Sequence, residues 1–126
     1  VLDAAASGLR EVKLADGSVK NLFGRGLCEF GQKDGGARHA LMQYPTALAP
    51  LPGGQGLWVA DTGNGALRRW VSRNQALTTV PLPTGLHRPA ALAAWQGQLW
   101  IADAGHHLVW RFDSDAGEMH RLPVGE

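Results

Sequence analysis

The stretch Leu57-Trp58-Val59-Ala60-Asp61-Thr62-Gly63-Asn64-Gly65-Ala66-Leu67-Arg68-Arg69-Trp70 recurs 42 residues later as Leu99-Trp100-Ile101-Ala102-Asp103-Ala104-Gly105-His106-His107-Leu108-Val109-Trp110-Arg111-Phe112. Leu, Trp, Ala, Asp, Gly and the Arg69/Arg111 pair recur identically, while Val/Ile, Leu/Val and Trp/Phe recur in kind. Self-similarity at a fixed period marks a repeat protein, in which each unit buries its apolar surface by stacking on the next. Val1 to Val12 aligns as a degenerate, front-truncated third copy, with Asp3, Leu9 and Arg10 in the places of Asp61, Leu67 and Arg68.

Around these copies the chain reads as short strands and tight turns. Gly and Pro interrupt every window long enough for a helical period, which predicts an all-β chain. Ala15-Asp16-Gly17-Ser18 is a hairpin signal, because Asp-Gly supplies positive φ. Val19–Phe23 follows as a strand with alternating faces. The first complete repeat runs from Pro45 with strands at Thr46–Ala49, Gly56–Asp61, Ala66–Val71 and Ala76–Val80. The second runs from Pro89 with strands at Ala90–Trp95, Gln98–Asp103, Leu108–Asp113 and Glu118–Leu122. Its first turn, Trp95-Gln96-Gly97-Gln98, is two residues shorter than its counterpart. The organisation expected is therefore an incomplete unit at 1–24, a long connection at 25–44 with a helical turn around Ala37–Met42, and complete units at 45–82 and 87–123.

Composition narrows the class. With 126 residues, 44% hydrophobic and 18% charged, the chain is neither disordered nor rich in apolar runs of transmembrane length. A net charge of +1 argues against a general nucleic-acid binder, although residues 25–80 hold six basic and three acidic groups against three and five in 81–126. The single Cys28 excludes an internal disulfide. Val1 opens without a basic and hydrophobic leader pattern, and no compartment follows from the sequence.

Apolar residues occupy both parities of the strands: Leu57 and Val59 against Trp58 and Ala60, Leu67 and Val71 against Trp70. Each four-stranded meander must then be covered on both faces. Radial stacking achieves this and predicts a β-propeller.

The run from Tyr44-Pro45-Thr46-Ala47-Leu48-Ala49 through Leu57–Asn64 to Leu67–Trp70, and again from Arg88-Pro89-Ala90-Ala91-Leu92-Ala93 through Leu99–Phe112, resembles the NHL repeat. Ala47 and Ala91 stand where that pattern has Gly, and Gly65/His107 vary where it is often polar. The opening Val1–Gly24 with Phe30-Gly31-Gln32-Lys33-Asp34-Gly35 is similar to NHL propellers that follow a thioredoxin-like domain in thioredoxin-fused NHL repeat-containing proteins and their bacterial relatives. That resemblance implies a six-bladed ring, of which this chain supplies about 2.75 blades. The remainder comes from a longer chain or from a second copy joined head to tail.

Several of the candidate functional residues fall at repeat positions. Asp61, Asp103 and Asp3 end a strand before a turn, where a carboxylate can accept from backbone N–H groups of that turn; recurrence makes them structural, as it does Pro45 and Pro89. Trp58 and Trp100 share one position and are expected to pack between blades, as are Trp70, Trp95 and Trp110. His106, His107, His87, His39 and His120 invite a metal hypothesis, but neighbouring histidines point apart, His106 stands where Asn64 does, and no metal site is expected. Arg68, Arg69, Arg73, Arg25, Lys33 and Arg38 could form a basic face, since some NHL propellers bind RNA. Arg68 and Arg69, however, point to opposite sides of one strand. Cys28 lacks a recognisable base, and Gly24-Arg25-Gly26 is too short for a phosphate loop.

The reading is a non-catalytic binding or scaffold module with no cofactor. It takes a protein or peptide partner through propeller loops, with Arg68, Arg69, His106 and His107 as candidate contacts and self-association as a route to ring closure; neither nucleic acid nor membrane is expected as a partner. The alternative is a metal-dependent lactonase- or lyase-like six-bladed enzyme. The inner strands weaken that alternative, since Thr46 is their one polar side chain.

Overall fold

A computed structural model of the protein describes residues 2–3, 8–12, 19–23, 34–35, 42 and 45–123. Strands β1 (Leu2–Asp3), β2 (Gly8–Val12) and β3 (Val19–Phe23) form one antiparallel sheet. A second is built from β4 (Pro45–Pro50), β5 (Gly56–Asp61), β6 (Ala66–Val71) and β7 (Ala76–Thr79). The third comprises β8 (Pro89–Trp95), β9 (Gln98–Asp103), β10 (Leu108–Asp113) and β11 (Glu118–Pro123). Each strand pairs with its chain neighbour, as expected of meanders joined by tight turns. No helix among the described residues is long and apolar enough to cross a membrane.

Strand bounds differ from the sequence reading at the ends. β4 and β8 begin one residue earlier, at the prolines, and β7 stops at Thr79, leaving Val80 outside. The proline start has a cause in register. Pro45 pairs with Asp61 and Ala47 with Ala60, so the strand slips by one residue; Pro89/Asp103 and Ala91/Ala102 repeat the same slip. A β-bulge lets each strand begin on a residue that has no N–H to donate. Both prolines are buried.

Two apolar layers separate the three sheets. Val59, Trp70 and Leu77 of the middle sheet pack with Leu9 of the first sheet and with Met42. On its other face Ala49, Trp58 and Leu67 meet Leu99, Ile101, Trp110 and Phe112 of the third sheet. The Trp58 and Phe112 rings lie edge to face, 6.0 Å between centroids at 80°, a favoured aromatic geometry. The double-sided apolar pattern of β5 is thus used on both sides. Gly35 extends the middle sheet at its outer edge, exchanging two backbone hydrogen bonds of 2.9 and 2.8 Å with Leu77. The expected turn at Ala15–Ser18 lies outside the described residues. So does the helical turn at Ala37–Met42, apart from Met42 itself, and so do Arg25, Cys28, Lys33, Arg38 and His39.

The turns reuse one backbone plan with different residues. Gly65 (φ 61°) and His107 (φ 55°) occupy equivalent left-handed positions, as do Gln75 (φ 51°) and Gly117 (φ 69°). Each pair places Gly in one copy and a side chain that strains against positive φ in the other. The short Trp95–Gln98 turn has positive φ at both central residues, Gln96 and Gly97, the type I′ pattern whose twist suits a two-residue hairpin.

Candidate functional site

Antiparallel order puts the β5–β6 and β9–β10 turns and the β7–β8 link at one end of the strands, and the β4–β5, β6–β7, β8–β9 and β10–β11 turns at the other. The recurring aspartates lie at the first end. Asp103 is 1% exposed and accepts from the backbone N–H groups of His87 (2.9 Å) and Arg88 (2.8 Å). Its Oδ2 also lies 2.9 Å from His106 Nδ1. This corrects the expected partner: the backbone donors belong to the link that leads into the blade, whereas the following turn contributes a side chain. Asp113 does show the turn-holding pattern, accepting from the N–H groups of Asp115 and Ala116 at 3.1 and 3.3 Å. Burial pushes the Asp103 carboxyl up, but the Arg88 and His87 amides and the His106 imidazole outweigh it. The carboxyl is left below its ordinary range.

Asp61, equally buried, has different company. Arg68 Nη1 donates to its Oδ2 at 2.8 Å and Asn64 Nδ2 does so at 2.8 Å. Arg68 is itself 0% exposed and donates from Nη2 to Asp34 Oδ1 at 3.0 Å. Thr79 Oγ1 donates to the same Asp34 oxygen at 2.8 Å. Burial raises the Asp34 carboxyl, yet the hydroxyl and amide of Thr79 and the Arg68 guanidinium together hold it below the usual carboxylate range. Arg68 therefore clamps the long connection to the middle sheet and is withdrawn from any partner. In the third sheet its place belongs to Trp110, and His106 replaces Asn64, so the buried carboxylate meets an imidazole where the middle sheet offers a guanidinium and an amide. The Asp3 side chain lies outside the described residues.

Hydroxyls join the blades at this end. Thr62 Oγ1 donates to the Pro89 carbonyl at 2.6 Å and lies 2.5 Å from Thr46 Oγ1. Beside them the His87 ring covers Gly105, where a Cβ would come within 2.3 Å of Nδ1, and sits 5.4 Å from the His106 ring. His107 is exposed on the same turn, and His120 lies on β11 beside Glu118. Among the described residues no three His, Cys, Asp or Glu side chains converge as a metal site.

Arg69, one residue from Arg68, projects the other way and is exposed. It lines a cleft between the middle and third sheets. The largest lobe, about 550 Å3, is bounded by Leu51, Gln55, Trp58, Arg69, Ser114 and Asp115 among others. A lobe of about 200 Å3 reaches Pro50, Trp95 and Gln98, and one of about 270 Å3 extends to Thr79, Pro81 and Gly117. This cleft has no signature in the sequence, because it arises from the spacing of two sheets.

The third sheet's outer face is open. By register Ala93, Trp100, Arg111 and His120 form a row equivalent to Ala49, Trp58, Arg69 and Thr78. Arg111 lies over the Trp100 ring at 5.9 Å, a cation–π contact. Trp95, at the position of buried Leu51, is 66% exposed.

This architecture of stacked four-stranded meanders defines a segment of a β-propeller. The sequence profile of the NHL repeat matches residues 86–112. Solved structures with similar folds include a Bacteroides thetaiotaomicron protein of unknown function, 20% identical with a TM-score of 0.70 over 82% of this chain and 29% of that one. Virginiamycin B lyase from Staphylococcus aureus is 16% identical, with a TM-score of 0.66 over 95% of this chain and 35% of that one. Hydrazine synthase from Kuenenia stuttgartiensis is 13% identical, with a TM-score of 0.63 over 94% and 30%. At such identities the likeness is one of fold. The chain spans about a third of the length of these structures. No curated protein matches the sequence.

Proposed function

We propose that this propeller segment is a non-catalytic binding module that engages a protein or peptide through one end of its blades. The observation that carries this reading is how the buried polar side chains are used. Asp61, Arg68 and Asp103 are all engaged by groups of their own chain, so the recurring polar residues hold loops in place and leave the loop surfaces to contact a partner. NHL propellers generally serve such a role, and a parent protein with a thioredoxin-like domain ahead of the segment fits the same reading. The open face of β8–β11 calls for a further blade, supplied by a longer chain or by a second copy. Light scattering separates those sources: a discrete dimer supports the second copy, and a monodisperse monomer excludes it. The binding reading is tested by screening the protein against a peptide array. A discrete set of binders supports it; a tightly held divalent ion with turnover of a small substrate overturns it.

A second, enzymatic reading draws on the Asp103–His106 pair and on the likeness to virginiamycin B lyase. A buried carboxylate at one imidazole nitrogen orients the ring, the geometry that positions a general base. His106→Asn, which restores the residue of the sister turn, distinguishes the readings. Loss of a lyase activity without loss of fold supports the enzyme, and unchanged partner binding supports the module.

A further inference from the structure

We infer that the cleft between the β4–β7 and β8–β11 sheets is a groove for an extended peptide carrying an acidic side chain between apolar ones, with its carboxylate paired to Arg69. This rests on the binding-module reading and assigns that module its groove. Three lobes share Trp58 and Ser114 and so form one continuous cleft. Its largest lobe lies within the roughly 300–1,000 Å3 typical of ligand sites. The floor is the nearly buried Trp58, and Pro50, Leu51 and Pro52 make an apolar wall. Gln55 and Gln98 at the margins offer amides to a peptide backbone.

The charge at its centre is specific. Strand alternation sends Arg68 inward to Asp61 and Asp34, and Arg69 into the cleft. Among the described residues Arg69 has no side-chain hydrogen bond and no carboxylate within ion-pair distance, although Asp115 lines the same lobe. The equivalent Arg111 instead lies over Trp100 on the open face. A guanidinium beside an indole floor favours a planar carboxylate that it can hold in bidentate fashion. The flanking apolar walls select the neighbours of that acidic residue. One end of the cleft is bounded by the type I′ turn at Trp95–Gln98, two residues shorter than its counterpart in the middle blade.

A random-peptide display library selected on the intact protein, followed by fluorescence polarisation with the tightest peptide, tests the inference. The selected peptides are expected to place Asp or Glu between apolar residues. Arg69→Gln weakens binding by about tenfold or more, and Ser114→Trp, which fills the cleft, abolishes it. Arg73→Gln removes an exposed charge outside the cleft and leaves binding unchanged. A peptide analogue with its carboxylate made an amide binds weakly to the parent protein and is indifferent to Arg69→Gln. Circular dichroism confirms that each variant is folded. Peptides that bind tightly yet ignore Arg69→Gln and Ser114→Trp overturn the groove while the binding module stands. A library that yields no binder overturns both.

Discussion

Replacing Arg68 with Met removes one cation from two carboxylates of unequal burial, and the structure predicts how the loss divides. Asp61 and Arg68 are both fully buried and 2.8 Å apart, whereas Asp34 is half exposed. Loss of an exposed partner costs about 0–1 kcal/mol, while leaving a buried charge without its counter-ion costs about 3–5 kcal/mol. Most of the effect therefore belongs to Asp61. Urea unfolding at pH 7 should show a loss of about 3–5 kcal/mol for Arg68→Met and about 1 kcal/mol or less for Asp34→Asn. Adding Asp61→Asn to Arg68→Met should recover more than half. A loss below about 1 kcal/mol for Arg68→Met refutes the clamp.

Other outcomes follow from the turns and the packing. His107→Gly and Gln75→Gly, which relieve positive φ, should each raise unfolding stability by about 0.5–1 kcal/mol. Gly65→Ala should lower it by more than 1–2 kcal/mol, because its Cβ would also come within 2.9 Å of the Leu86 carbonyl. Asp103 has a depressed carboxyl, so its contribution is present above its unfolded value of about 3.8 and is lost as pH falls below it. Asp103→Asn should flatten that part of an acid-unfolding curve. Trp58→Ala opens the layer between two sheets and should cost about 3–5 kcal/mol by thermal or urea unfolding.

The repeat carried most of the fold in its letters. Equal spacing fixed the equivalence of strands, and apolar residues on both parities of β5 required cover on both faces. Strand bounds shifted by a residue because bulges at Pro45 and Pro89 are local slips of register that an alternating pattern does not reveal. The candidate site was less legible. Alternation separates Arg68 from Arg69, but which side becomes interior depends on Asp61 and Asp34, the latter 34 residues away. Asp103 reaches back 15 and 16 residues to amide donors that carry no side-chain signal. The two-residue difference in the β8–β9 turn was visible as a loop variation, whereas the cleft beside it depends on how two sheets diverge.

The open outer face of the last sheet is expected to dock a further blade as the middle sheet docks the third. Radical footprinting of Trp100 in the intact protein tests it most directly, with Trp58 as internal reference. Trp100 should be protected to the same degree as Trp58, whether a longer chain or a second copy supplies the cover. Labelling of Trp100 at the rate of a solvent-exposed indole contradicts it.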